Sequence, residues 1–279
     1  MQLSHAAQLP WNPIAVQRQT GKEAKTLLQG SEGSPDNYLL VLVREGMVAT
    51  TPRHKHNFDQ LRMTISGRTN YGPKRWIEPG EVAYFPEGVH YGPEECEGNR
   101  VGFTLQFGGA SGSGFMSRRQ VNEGREALKQ LGTFKDGVFY RENPGPNERQ
   151  TQDGYEAIWE YINKRSVEYP KPRYDEPVLM RPANFAWNDD PVQRGVSAKL
   201  LGVFTERRVE ISMFRVTNGA SGILGPRGGI SLACVLQGTG IVDGEPIAAL
   251  SSFEVASTMV AEVRATEDLE LLVVGLPLF

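Results

Sequence analysis

Histidine is scarce in this chain, four residues in all, and three of them, His54, His56 and His90, fall in one region. On an extended strand His54 and His56 project to the same face, which presents two imidazoles to a single ion without strain. Gln60 falls on that face too. His90 follows the Pro86-Glu-Gly88 turn and closes the set only if its strand pairs alongside. Arg62 lies two residues past Gln60, so alternation aims it into the same space, unless a β-bulge near Phe58 reverses the assignment. Its guanidinium would either clamp a substrate carboxylate or be fixed by an internal acid. Asp59 points to the opposite face. Cys96 sits among Glu94, Glu95 and Glu97, which raise a thiol pKa and make it a poor nucleophile, and Cys234 reads as a small core residue. No Ser-His-Asp set or dinucleotide fingerprint is visible, and Gly108–Gly114 reads as a linker because it lacks the Lys-Ser/Thr ending of a phosphate loop.

The elements that must position these side chains are strands. Tyr38 to Val43 is an apolar run, Gln60 to Ser66 alternates polar residues with Leu61, Met63 and Ile65, and Glu81 to Phe85 and Val101 to Phe107 add two more. Turn signals such as Asn70-Tyr-Gly-Pro73 and Glu78-Pro-Gly80 separate them, and short strands at short spacing predict a barrel or sandwich. The middle of the chain predicts helices. Ser117-x-x-Gln120 has capping-box form ahead of Val121, Leu128 and Leu131 with Gly132 as a stop, and Asp153-x-x-Glu156 precedes Tyr155, Ile158, Trp159 and Ile162 at helical spacing. Strand patterning returns from Val196. The segments 54–67 and 225–238 overlay without a gap, placing Leu61, Met63, Ile65 and Gly67 on Leu232, Cys234, Leu236 and Gly238, which predicts a duplicated β domain.

His54-x-His56, then Gln60, then Gly67 resembles the first motif of the cupin superfamily, and Gly80-x5-Pro86-x-Gly88-x-His90 resembles the second with one residue fewer before the histidine. The resemblance implies an all-β bicupin: two double-stranded β-helix jelly-roll barrels with a partly helical connector. The expected division is an arm (1–36), an N-terminal metal-binding cupin domain (37–108), a connector (109–195) and a degenerate C-terminal cupin domain (196–279). Gly225, Arg227 and Ser231 replace His54, His56 and Gln60 in the second copy, which is expected to be metal-free. The first is expected to hold one divalent ion per chain on His54, His56, Gln60 and His90, iron(II) being favoured and manganese, zinc, nickel and copper also suiting the donors. Neutral ligands leave the ion its full charge, so the expected substrate is a small organic anion, with Arg62 and Tyr84 as catalytic groups. An iron(II) dioxygenase is the leading expectation, against a metal-dependent isomerase or lyase and a non-catalytic binder or sensor.

Composition excludes other classes. A net charge of -3 offers no broad basic face for nucleic acid. Leu271 to Phe279, the longest apolar stretch, is far short of the ~20 residues that cross a bilayer, and no signal peptide is visible, so a cytoplasmic protein is expected. The arm, with Pro10, Trp11 and Pro13, is expected to lie across a neighbouring domain of its own or a partner chain, and two copies to pair as a homodimer.

Overall fold

Tyr38–Glu45 is a continuous apolar strand because both its faces are buried: Tyr38, Leu40 and Leu42 enter one hydrophobic core while Leu39, Val41 and Val43 enter another. Asp59–Ser66 alternates for the matching reason, with Leu61 and Met63 in the first core and Gln60 and Arg62 lining a cavity. The structure is a computed structural model and describes residues 1–14, 21–46, 50–95 and 98–279; Cys96 lies outside them.

Two seven-stranded antiparallel sheets organise the chain. The first runs in the order Val178–Met180, Val82–Phe85, Asp59–Ser66, Arg100–Phe107, Tyr38–Glu45, Lys22–Gln29 and Asn12–Pro13. The second runs Leu3–His5, Ser251–Val255, Ser231–Gln237, Leu269–Gly275, Val209–Val216, Val196–Phe204 and Asn188–Asp189. The orders correspond strand for strand, and Asp59–Ser66 matches Ser231–Gln237, as the sequence overlay requires. Gly67 and Gly238 end these two strands in the left-handed region (φ 69° and 84°), where a Cβ would lie 2.5 Å from the Asn99 carbonyl oxygen and 2.1 Å from that of Asp268. The same turn is built twice, and only glycine fits it.

Each sheet borrows its outer strand from elsewhere. Val178–Met180 of the connector pairs with Val82–Phe85, and Leu3–His5 of the N-terminal arm crosses to Ser251–Val255 in the other half of the same chain. The segment before residue 37 holds more than an arm, since Lys22–Gln29 pairs along Tyr38–Glu45. The two large sheets share one core, in which Leu40, Leu61, Met63, Phe103 and Leu105 meet Leu232, Cys234, Leu272 and Val274. The C-terminal barrel is then filled by its own apolar interior, including Phe214, Val235, Phe253, Val263 and Leu271.

The connector forms two helices, α1 (Arg118–Leu128) and α2 (Gly154–Asn163). Ser117 and Gln120 make the reciprocal capping box, and Asp153 caps α2 through the amides of Tyr155 and Glu156. Ile158 and Trp159 bury against Met116, Leu128 and Phe139. The sequence pattern did not reveal a small sheet of Gly132–Lys135, Val138–Arg141 and Thr151–Asp153 between the helices; its strands are too short to show a period. Among the described residues no helix is long and apolar enough to cross a membrane.

Leu272→Ala, which truncates a buried side chain in the shared core, is expected to lower unfolding stability by about 2–5 kcal/mol in a denaturant titration. A loss below about 1 kcal/mol would show that the barrels do not depend on this contact.

Candidate functional site

The N-terminal barrel encloses a cavity of about 390 Å³ with two unlike walls. Leu39, Val41, Val43, Phe58 and Phe115 make one wall apolar, and His54, His56, Gln60 and Arg62 make the other polar. The connector covers part of it: Arg118, Val121 and Asn122 line it from one face of α1, and Tyr155 of α2 joins them. The Tyr155 hydroxyl donates to Asn57 Oδ1 at 2.9 Å, and Phe115 packs edge-on against Phe58, which ties the helices to the barrel.

His54 and His56 stand side by side, their ring centroids 5.0 Å apart. His54 Nδ1 is 2.7 Å from the Pro52 carbonyl oxygen, which can only accept, so Nδ1 carries the proton and Nε2 is the basic nitrogen of the neutral ring. The His56 ring stacks on Phe58 at 4.3 Å.

His90 does not join them. It is exposed and outside the cavity lining, and its pKa is lowered by partial burial and by Lys55 and Arg53. The inward position belongs to Tyr91. Two backbone hydrogen bonds of 3.0 Å bridge Tyr91 to His54, placing the Tyr91 ring 4.4 Å from His54 and its hydroxyl 3.3 Å from His56 Nδ1. Alternation then turns the preceding residue, His90, outward. The missing residue before His90 in the second motif was the signal: a full-length Pro86-x-Gly88-x-x spacing arrives at Tyr91.

Arg62 is fixed by an internal acid. It donates to Glu94, to Gln60 Oε1 (2.7 Å) and to the Tyr91 hydroxyl (3.3 Å), and its guanidinium lies over the rings of Phe85 and Tyr91. Lys22 Nζ approaches Glu45 at 2.6 Å and Glu94 at 3.6 Å, and Arg100 holds the other side of Glu45. This buried group has three cations and two carboxylates among the described residues, an excess of one positive charge. Burial works to raise the pKa of Glu94, but Arg62, Lys22, His54 and Arg100 outweigh it and hold the carboxyl at about 2. Lys22, Glu45, Glu94 and Arg100 carry no motif; register across the large sheet aligns Lys22, Glu45 and Arg100, and Glu94 reaches them from the separate Glu94–Glu95 strand.

Tyr84, expected as a catalytic group, lies on the wrong face. It is paired with Leu61, points into the core shared by the barrels, and donates to Asp59 Oδ2 at 2.6 Å. Asp59 faces away from the cavity and also accepts the Glu87 amide.

These positions do not fit the expected four-ligand metal shell. His90 is outside, the Gln60 amide oxygen already accepts from Arg62, and a guanidinium stands where a cation would be repelled. Among the described residues no group of three or more His, Cys, Asp and Glu side chains is placed to hold a metal ion.

The sequence matches no family model and no curated protein. Solved structures do match. A candidate dioxygenase from Nostoc punctiforme aligns over 99% of this chain and 83% of its own with a TM-score of 0.62 and 12% identity. A variant of oxalate decarboxylase from Bacillus subtilis, an enzyme with Mn(II) centres, aligns over 100% and 78% with a TM-score of 0.59 and 14% identity. Quercetin 2,3-dioxygenase from Acinetobacter baumannii aligns over 100% and 86% with a TM-score of 0.55 and 13% identity. The fold is that of a bicupin. At such identities the likeness carries the architecture, and the chemistry of this chain has to come from its own cavity.

Glu94→Gln is expected to destabilise the protein by about 3–5 kcal/mol at neutral pH, because it leaves Arg62 buried without its counter-charge. The Glu94 pKa is depressed in the fold, so its contribution is present above the ordinary carboxylate range and is lost as pH falls toward 2. Melting curves between pH 5 and 2 should therefore be flatter for the variant than for the wild type; parallel curves would remove Glu94 from the network.

Proposed function

We propose that this bicupin binds a small organic anion in its N-terminal barrel and acts on it by proton transfer, with His54 as the acid-base group. The observation that carries this reading is the cavity itself: an apolar wall facing a polar wall whose buried ion pairs leave an excess positive charge. An anion entering it trades hydration for that charge, while its apolar part covers Val41 and Phe58. His54 Nε2 is the basic nitrogen, held in its tautomer by the Pro52 carbonyl, which suits it to remove or return a proton at a carbon next to the anionic group. The Tyr91 hydroxyl, between His56 and Arg62, fixes the orientation of the neighbouring imidazole.

This differs from the iron(II) dioxygenase expected from sequence. That expectation needed His54, His56, Gln60 and His90 in one shell, and His90 lies outside the cavity. The second barrel, with Ala233 and Val235 where the first has Arg62 and Thr64, supports the first through the shared core.

The test is a panel of carboxylates, keto acids and hydroxy acids, screened by thermal shift and then by turnover under air and under nitrogen. His54→Gln should reduce turnover roughly 100-fold or more while retaining binding. His90→Ala should change neither. Turnover that consumes oxygen, needs added iron(II) and is abolished by His90→Ala would replace this reading with the dioxygenase.

A further inference from the structure

Helix α1 opens on two consecutive arginines, Arg118 and Arg119, at the end where the backbone dipole is positive and a basic side chain is unfavourable. Arg119 is compensated by Glu32 and Glu123. Arg118 is not. It is half-buried and lines the N-terminal cavity, and among the described residues it has no hydrogen-bond or ion-pair partner. Burial alone lowers its pKa, with no carboxylate acting against it. The other cations of the cavity wall, Lys22, Arg62 and Arg100, are held by Glu45 and Glu94. A local rule broken without internal compensation points to a ligand that supplies the compensation.

The helix cannot readily turn this side chain away. Gly124, on the adjoining face of α1, sits so close to α2 that a Cβ would lie 3.0 Å from the side chains of Ile158 and Ile162. Leu128 is buried in the same core. With that face locked, Arg118, Val121 and Asn122, at i, i+3 and i+4, are presented to the cavity.

We infer that Arg118 is the carboxylate-binding residue of this cavity and that its ligand is a small monocarboxylate with an aliphatic or aromatic body, an assignment that rests on the anion reading above. A planar guanidinium fork with its donors unspent matches a carboxylate in two parallel hydrogen bonds. One guanidinium fork without an internal partner seats one carboxylate group. The wall of Leu39, Val41, Val43 and Phe58 takes the apolar body, and the volume of about 390 Å³ is at the small end of ligand pockets. The carboxylate would be recognised by the connector, while the barrel wall presents His54.

The test uses a matched pair of probes, 3-phenylpropionate and 3-phenylpropionamide, titrated by NMR into the full chain and its variants. The wild type is expected to prefer the carboxylate by about 10-fold or more, and Arg118→Gln to abolish that preference while leaving amide binding in place. Arg118→Lys should keep part of the preference, since it retains charge without the fork. Arg119→Gln removes the same charge one residue away and should keep all of it. The ligand-free Arg118→Gln protein should melt no lower than the wild type, because the guanidinium has no internal partner to lose. A preference that survives Arg118→Gln and Arg118→Lys overturns the assignment to Arg118 while leaving the anion reading in place. Equal affinity for both probes in the wild type overturns the anion reading, and this assignment falls with it.

Discussion

Every strand at the centre of the first sheet has one face committed to the core between the barrels, and the rest of the protein depends on that commitment. Leu61 and Met63 face Leu232 and Cys234 across this core, so Gln60 and Arg62 must face the other way, into the cavity. A one-residue slip would bury Arg62 between two apolar sheets. The same rule places Tyr84 outside the cavity.

The cavity face then has to carry charge inside a protein. Lys22, Arg62 and Arg100 are tolerable there because Glu45 and Glu94 share them, and several of these contacts have two donors on one carboxylate. The opposite face of the Asp59–Ser66 strand shows the contrary case. Asp59 is fully buried, and burial raises its pKa to about 7 even though Tyr84 and the Glu87 amide donate to it. The fold takes up a proton there, so stability associated with Asp59 is present below the ordinary carboxylate range and is lost as pH rises toward 7. Glu94 responds with the reverse sign. Two buried acids of one barrel are thus set apart by whether a guanidinium or an apolar layer surrounds them.

The barrels share strand order but have divided their work. In the first, positions 60, 62 and 64 are Gln, Arg and Thr; in the second, the matching positions are Ser231, Ala233 and Val235, and the interior closes on itself. Nothing in the strand order prevents a site in the second barrel. Apolar side chains fill the space, and the barrel instead supplies the surface that buries the outer face of the first. The exchanged outer strands, Leu3–His5 and Val178–Met180, bind each half to a segment from outside it.

Much of this was legible in the residues. Alternation in 60–66, the apolar run in 38–43, the gapless overlay of 54–67 on 225–238 and the box at Ser117 are local signals, and local sterics and hydrogen bonding decide them. The proximity of His54 and His56 was legible because it follows from their closeness in the chain, although they lie in the segment before the Asp59–Ser66 strand rather than on a strand, with His54 held by a single bridge to Tyr91. The position of His90 was not, because it depends on which residue of one loop forms the isolated bridge to His54 in another. Nor were the ion pairs of Lys22, Arg62 and Arg100, whose partners lie on other strands. The sequence determined that two β domains would form with imidazoles on one face; only the tertiary structure decided which charges would meet them there, because register across strands is fixed by the core that both barrels bury together.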